Sequence, residues 1–196
     1  MPVLPLPYRK SDLPEGTAGD WVLERFEIPA PRLVDPPLDT RPEWALTPPG
    51  WYTRLRCGHE AFMTDELDEW STHQPVMDEA LKRGGRLLVT GLGLGMIVEW
   101  ILGDPRSQVE SVTVIEQSSD VIRLVAPHLL ARYPERLKIV QGDAFTWMPP
   151  DGTRYSVIWH DIWPNPRDPG CAADIELLHA RFAPHCDWQG SWTVPV

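Results

Sequence analysis

The chain has 196 residues, enough for one domain with a substantial core, and its formal net charge is −10 at pH 7. This acidic balance disfavours nucleic acid as a partner, because binding phosphate needs a basic face. No apolar run reaches the about 18 residues that a membrane helix needs. The first residues also lack the basic start and long apolar stretch of a signal peptide. We therefore predict no nucleic-acid or membrane partner.

The cysteines give a second exclusion. Cys57, Cys171 and Cys186 are odd in number and form no C-x-x-C pair. That pattern argues against a disulfide framework and against a zinc site. We therefore predict no metal and a cytoplasmic location.

Proline dominates the N-terminal region, since the first 50 residues hold 11 of the 22 prolines. Proline removes an amide donor and fixes φ, so much of this region is predicted to be an extended arm. Residues 21–28 (WVLERFEI) alternate as a strand does, and residues 51–57 (WYTRLRC) indicate another. We predict that residues 1–63 form a proline-rich arm and a small β element.

A helix is predicted over residues 64–85, with Thr64 as its cap and glycines at its end. Pro75 is expected to break this helix into two pieces. The surrounding residues 57–81 contain seven acids and no Lys or Arg. This run is either a solvated helix face or a wall that attracts a cationic substrate.

From residue 86 onwards, predicted strands and helices alternate. The strands are predicted at 86–90, 111–116, 137–143, 155–161 and 186–194, and the helices at 96–102, 118–133 and 172–183. Such alternation is typical of a parallel sheet with helices on both faces. We predict an α/β domain over residues 64–196, an open doubly wound and mostly parallel sheet.

Three glycines, Gly91, Gly93 and Gly95, follow the first strand of this domain as G-x-G-x-G. A dinucleotide fingerprint would place the third glycine one position later, where Met96 stands. No Gly-Lys-Ser/Thr follows, so the loop is not a phosphate-cradling Walker loop. A glycine turn there lets backbone amides and a helix N-terminus approach a ligand.

Acidic residues end the next three strands, at the edge of the sheet where ligands bind in such folds. Glu116 could accept both hydroxyl protons of a ribose. In the Gly142-Asp143-Ala144 stretch, the acid could accept from an adenine amine, with Ala144 beside the ring. Asp161 would face the reacting end of the ligand. Each of these acids could instead cap the following helix.

Residues 85–161 resemble class I S-adenosylmethionine-dependent methyltransferases. The shared features are the glycine loop and the three acidic strand ends, while Thr90 stands where that family often has an acid. The resemblance implies a Rossmann-like methyltransferase fold and S-adenosylmethionine as the cofactor. The residues that would bind it are Gly91, Gly93, Gly95, Glu116, Gly142, Asp143 and Ala144.

The layout of residues 50–192 is also similar to the spermidine synthase branch of that fold. The segment MTDELDEWSTHQPVM (63–77) lies where that family joins its N-terminal β element to its nucleotide domain. This likeness implies decarboxylated S-adenosylmethionine as the donor and a polyamine as the acceptor. Aminopropyl transferases usually carry a second reaction-centre acid, whereas Asp161 is followed here by IWPNP.

The reaction is expected near Asp161, which could orient an amine or take its proton. His160 is a second catalytic candidate, although strand alternation directs neighbouring side chains to opposite faces. Trp163 could stack on adenine or hold a cation. Glu69 and His73 are predicted to contact the substrate. Each histidine could equally be a packed one.

Three hypotheses follow. The leading one is an S-adenosylmethionine-dependent methyltransferase acting on a small, amine-containing acceptor, which could be a cation. The second is a spermidine synthase-like aminopropyltransferase, and the third is a catalytically silent nucleotide-binding scaffold. Only 35 residues follow Asp161, where methyltransferase folds add an antiparallel strand pair. We therefore expect a shortened C-terminus with a bare sheet edge, which either the proline-rich arm or a second subunit covers, and we predict a homo-oligomer, most simply a homodimer.

Overall fold

The computed structural model describes residues 8–30, 32–33, 46–165 and 169–192. Six short strands come first along the chain. They are β1 (Gly16–Ala18), β2 (Trp21–Ile28), β3 (Arg32–Leu33), β4 (Leu46–Thr47), β5 (Gly50–Cys57) and β6 (Glu60–Thr64). Four of them form an antiparallel sheet in the order β1-β2-β5-β6, and β3 pairs with β4.

This sheet confirms the predicted small β element. The two strands predicted from alternation are β2 and β5, and they pair along their whole length, from Trp21 opposite Cys57 to Ile28 opposite Gly50. Strands β1 and β6 were not predicted from the sequence. Much of the predicted proline-rich arm, residues 1–7, 31 and 34–45, lies outside the described residues.

The prediction of one helix over residues 64–85, broken at Pro75, is wrong in two respects: where the helix begins and where it breaks. Thr64 ends strand β6, and two helices follow, α1 (Leu67–Thr72) and α2 (Gln74–Arg83). The break falls at His73, because Pro75 occupies the first turn of α2. Proline is tolerated there, since the first turn needs no amide donor from it.

The second sheet is parallel, and it confirms the predicted α/β fold. Its strands and helices are β7 (Gly85–Thr90), α3 (Met96–Leu102), β8 (Val109–Glu116), α4 (Ser119–Arg132), β9 (Leu137–Gln141), β10 (Tyr155–His160), α5 (Cys171–Phe182) and β11 (Cys186–Ser191). The strand order is β11-β10-β7-β8-β9. From β7 the chain adds β8 and β9 on one side of β7, and it then adds β10 and β11 on the other side of β7. Such a reversal is the switch point where ligands bind in open α/β sheets.

Both faces of this sheet are buried, which explains why its strands lack alternation. Leu87 of β7 packs in the cluster that includes Val76 of α2 and Val125 of α4. The next residue, Leu88, packs in a second cluster with Phe182 of α5. Within the described residues, no helix is both long enough and apolar enough to cross a bilayer.

Candidate functional site

A cavity of about 480 Å³ lies at the carboxyl ends of β7, β8, β9 and β10. Its floor is formed by the residues that follow these four strands. The antiparallel sheet closes it from the other side through Trp21, Leu55, Phe62 and Met63. The cavity is therefore shared by the small β element and the parallel sheet. Its volume lies within the range usual for small-molecule sites.

Two glycines of the G-x-G-x-G loop line this cavity, and both have positive φ. Gly91 has φ +94°, and a Cβ there would collide with the carbonyl oxygen of Asp161. Gly93 has φ +49°, and a Cβ there would meet the sulfur of Met63. Gly95 does not line the cavity but begins α3 in the left-handed conformation, packed on Leu129. The loop therefore needs glycine for its own packing as well as for ligand access.

The loop is held in place before any ligand arrives. The amide of Leu92 donates to Oε2 of Glu116 at 2.8 Å, and the amide of Leu94 donates to the sulfur of Met63 at 3.1 Å. The amides of Gly91 and Gly95 donate to backbone carbonyls at 2.8 Å each. Four of the five backbone amides from Gly91 to Gly95 therefore already donate within the protein.

Glu116 ends β8 and lines the cavity, while its role in binding a cofactor stays a prediction. Its Oε1 accepts from the amide of Ser118 at 2.7 Å, while Oε2 accepts from Leu92. Burial raises its pKa, against the lowering effect of these amides. Each carboxylate oxygen can accept a further hydrogen bond, so the group can still receive a ligand hydroxyl.

The predicted Gly142-Asp143-Ala144 stretch follows β9, and all three residues line the cavity. Oδ1 of Asp143 accepts from the amide of Phe145 at 2.9 Å, which fixes the turn. The amide of Gly142 donates to the carbonyl of Glu116 at 2.9 Å. The ends of β8 and β9 are thereby tied together beside the glycine loop.

Asp161 lines the cavity directly after β10, and His73 lies behind it. Nε2 of His73 is 2.8 Å from Oδ2 of Asp161. Nδ1 of His73 is 2.6 Å from the carbonyl oxygen of Glu69. His73 is fully buried and does not line the cavity, so the prediction that it contacts the substrate directly is not supported by its position.

Glu69, the other predicted substrate contact in this segment, does line the cavity. It lies on α1, one turn before His73. Burial is the main cause that raises the pKa of Glu69 to about 8. The charge of His73 lowers this pKa, and the charge of Asp161 raises it further. A carboxyl group in this condition can exchange a proton near neutral pH.

His160 is directed away from the cavity, which corrects its prediction as a catalytic residue. Its Nδ1 lies 3.1 Å from Oγ1 of Thr90, and its ring packs on His179 and Phe182. The residue is fully buried, and burial lowers its pKa to about 4. Strand alternation explains the difference, because Asp161 and His160 project to opposite faces of the sheet.

Trp163 lines the cavity as predicted, and its indole nitrogen donates to Oδ2 of Asp174 at 3.3 Å. Asp174, in the first turn of α5, also lines the cavity but was not predicted. Trp192, also missed, lines the cavity just after β11. The sequence could have indicated Asp174, because it lies early in the helix that follows a strand at the switch point. Nothing in the sequence indicates that Trp21, Phe62 and Met63 line the cavity.

The cavity is strongly acidic. Five carboxylate residues line it, and its lining includes no Lys, Arg or His within the described part of the chain; the acids are Glu69, Glu116, Asp143, Asp161 and Asp174. Over residues 8–30, 32–33, 46–165 and 169–192, no group of three or more His, Cys, Asp or Glu residues is arranged to hold a metal. The charge favours an organic cation as the ligand.

No protein-family model matches the sequence, and no curated protein matches it. Several solved structures are similar in shape. A spermidine synthase in complex with the transition-state analogue AdoDATO gives a TM-score of 0.51 at 15% identity, covering 88% of this chain and 53% of that one. A spermidine synthase from Thermotoga maritima gives 0.45 at 16% identity, covering 76% and 47%. A dimethyladenosine transferase from Plasmodium falciparum gives 0.36 at 22% identity, covering 45% and 32%.

Of these three likenesses, the first bears on the fold, and at 15% identity it shows the fold alone. The chain has the Rossmann-like fold of class I S-adenosylmethionine-dependent methyltransferases, a parallel five-stranded sheet beside an antiparallel one. Within that fold, the likeness to a spermidine synthase extends over both sheets. The chain spans about half of that synthase's length.

Proposed function

We propose that this protein is a transferase that carries an alkyl group from an adenosyl sulfonium to a small amine. The observation that carries the proposal is the acidic cavity at the switch point, which joins a glycine loop to five carboxylates. A sulfonium and an ammonium are both cations. One cavity of this charge is therefore suited to both partners of the reaction.

The donor fits the residues at the ends of β7, β8 and β9. The glycine loop lines the cavity with Gly91 and Gly93, which present no side chain to it, and Glu116 has lone pairs for the hydroxyls of a ribose. Asp143 and Ala144 would take the adenine ring. When bound, a sulfonium supplies an alkyl carbon that is already activated for transfer. The protein's own task is to orient the two partners and to manage one proton.

The acceptor would lie between Asp161, Glu69 and Asp174, beside the indoles of Trp163 and Trp192. Carboxylates bind ammonium groups by charge and hydrogen bonding, and indoles favour cations over their faces. The second reaction-centre acid missing from the Asp161 loop is thus supplied by other elements, α1 and α5. An amine acceptor is supported by this arrangement.

Two versions of the reaction use this site. Methyl transfer from S-adenosylmethionine requires partners for the carboxylate of the methionine part. The cavity lining offers no cationic side chain for it in the described residues, and most amides of the glycine loop are already bonded. Aminopropyl transfer uses the decarboxylated donor, which lacks that carboxylate. The charge of the cavity therefore favours the second version.

Calorimetric titration with S-adenosylmethionine, its decarboxylated form and methylthioadenosine tests the proposal. Tighter binding of the decarboxylated form by about 10-fold or more supports aminopropyl transfer, and mass spectrometry of reactions with putrescine and spermidine then identifies the product. Tighter binding of S-adenosylmethionine supports methyl transfer. Binding of none of the three by folded protein contradicts the proposal and leaves the silent scaffold.

A further inference from the structure

We propose that two acids of the cavity divide the handling of the acceptor amine: Asp161, fixed by a buried His73 imidazolium, holds the nitrogen, and Glu69 takes its proton. This inference rests on the proposed function. It adds to that function by assigning the proton of the amine to the carboxylate of Glu69. The sequence had made Asp161 the first candidate for the base.

The first step concerns the charge of His73. Both of its ring nitrogens face acceptors, the carbonyl oxygen of Glu69 at 2.6 Å and Oδ2 of Asp161 at 2.8 Å. A neutral imidazole carries one N–H and could donate to only one of them. The geometry therefore requires protons at both positions, with the second lying between His73 and Asp161. Burial lowers the pKa of His73, but Asp161 and Glu69 together raise it to about 9.

The second step concerns the surroundings of this imidazolium. Its ring centre lies 6.0 Å from that of Trp100 and 5.9 Å from that of Trp159. Indole rings at such distances favour a cation. His73 has no exposed surface, so it reaches the ligand only through Asp161. His73 is thus a positioning residue.

A short chain of hydrogen bonds fixes the other end of this arrangement. The hydroxyl of Thr72 donates to the carbonyl of Glu69 at 2.8 Å, and the indole of Trp192 donates to that hydroxyl at 2.9 Å. The carbonyl that receives the His73 proton is therefore held by a residue of the cavity wall. Ligand contact at Trp192 and the orientation of His73 are linked through Thr72.

The third step concerns Asp161 itself. Oδ2 is occupied by His73, and no hydrogen bond to Oδ1 is found among the described residues. The imidazolium and an incoming ammonium both require Asp161 as an anion. Asp161 is therefore suited to holding a cationic nitrogen through Oδ1, with its orientation set from behind.

Glu69 differs from Asp161 in each of these respects. It lines the cavity, yet no hydrogen bond or ion pair to its carboxyl group is found in the part of the chain that the structure describes. The charged groups facing it are His73, Asp161, Asp68 and Glu66. Burial and the three acids favour its protonated form, while His73 opposes this. Two acids whose environments differ in this way are typical of divided roles in catalysis.

The proton step balances without a further reactant. The N–H bond of the ammonium breaks as an O–H bond forms on the Glu69 carboxylate. The nitrogen keeps the electron pair and becomes the nucleophile. The proton leaves Glu69 to solvent after the product departs, which restores the anion.

The test compares Glu69→Gln and Asp161→Asn in the full chain, with decarboxylated S-adenosylmethionine and putrescine as probes. Glu69→Gln is expected to lower kcat by about 100-fold or more and to leave KM for putrescine within about threefold. Its kcat should also lose the rise with pH that deprotonation of Glu69 gives the wild type. Asp161→Asn is expected to raise KM by about 10-fold or more. Asp78→Asn, which changes an exposed acid of α2 outside the cavity lining, is the control and should change neither constant by more than about threefold.

His73→Gln should resemble Asp161→Asn in its KM effect, and donor affinity by calorimetry should stay unchanged in all variants. Side-chain NMR of the wild type supplies a readout independent of activity: His73 should keep both ring protons at pH 8, and the Glu69 carboxyl should titrate above pH 6. Full kcat in Glu69→Gln, or titration of Glu69 below pH 6, overturns the division of roles while donor binding and transfer stand. A wild type that binds the donor but alkylates no amine overturns the proposed function, and this inference with it.

Discussion

The carbonyl oxygen of Asp161 lies against the Cα of Gly91, where β7 and β10 end side by side. Gly91→Ala places a Cβ in collision with that oxygen, at a residue whose φ is +94°. The backbone conformation alone costs about 1–2 kcal/mol with a side chain, and the collision adds to it. Urea unfolding should show a loss above about 2 kcal/mol. Donor binding should fall with it, because the loop must move.

The matched control is Gly152→Ala. Gly152 also has a positive φ, +74°, but nothing lies within 4 Å of an added Cβ. The Gly152→Ala variant should lose only the part of the unfolding free energy that comes from the backbone conformation, about 1 kcal/mol, and its donor affinity should not change. Equal losses at both positions would mean that the close approach to Asp161 contributes nothing.

Glu116→Ala should weaken binding of the donor nucleoside by about 10-fold or more. The substitution removes the carboxylate proposed for the ribose and also the acceptor of the Leu92 amide, so the loop loses one of its ties. Methylthioadenosine is the probe in a calorimetric titration, since it contains the ribose and lacks the amino-acid part.

The control for this prediction lies on the same strand. Glu110 is exposed near the amino end of β8, far along the strand from Glu116. Glu110→Ala should bind methylthioadenosine as the wild type does. Unchanged affinity in Glu116→Ala would place the nucleoside elsewhere in the molecule.

Local patterns were sufficient to predict much of this site. Gly91, Glu116, Asp143 and Asp161 each lie at the carboxyl end of a strand that the sequence indicates by its apolar run, and parallel strands bring these ends to one edge. Helix α3 was predicted with its observed bounds, Met96–Leu102. These predictions needed no knowledge of contacts between distant residues.

Contacts across the chain could not be predicted in this way. His73 and Asp161 are 88 residues apart, and nothing in either segment indicates the other. The lining contributed by Trp21 and Phe62 depends on how the antiparallel sheet packs over the parallel one. The predicted division at residue 63 stays a prediction, as does the homodimer, which light scattering with size-exclusion chromatography would test.

His160 gives a prediction about pH and stability. Its pKa is about 4 in the folded protein, below the ordinary histidine value of 6.5, because burial disfavours the charged ring. Between pH 6.5 and about pH 4, the unfolded chain binds a proton at His160 that the folded protein does not. The stability that comes from keeping His160 neutral is therefore lost as pH falls through this range. From pH 7 to pH 5 the loss should be about 2 kcal/mol.

Urea unfolding of the wild type and of His160→Gln at both pH values isolates this effect. The variant cannot bind the proton, so its stability should fall less than that of the wild type over the same interval. His179, the histidine facing His160, remains in both proteins. His128→Gln changes an exposed histidine and serves as the control. Parallel losses in wild type and His160→Gln would show that another group governs the acid sensitivity.

Met63 connects the antiparallel sheet to the glycine loop, which gives the last prediction. Its sulfur accepts from the amide of Leu94 at 3.1 Å and fills the space beside Gly93. Met63→Leu keeps the apolar volume and removes the acceptor, so hydrogen exchange at the Leu94 amide should accelerate by about 10-fold. Met148→Leu alters an exposed methionine and should leave that amide unchanged. If the Leu94 amide exchanges at the wild-type rate in both variants, the small β element covers the cavity without ordering the glycine loop. If exchange at this amide accelerates only in Met63→Leu, the two sheets build the donor site together.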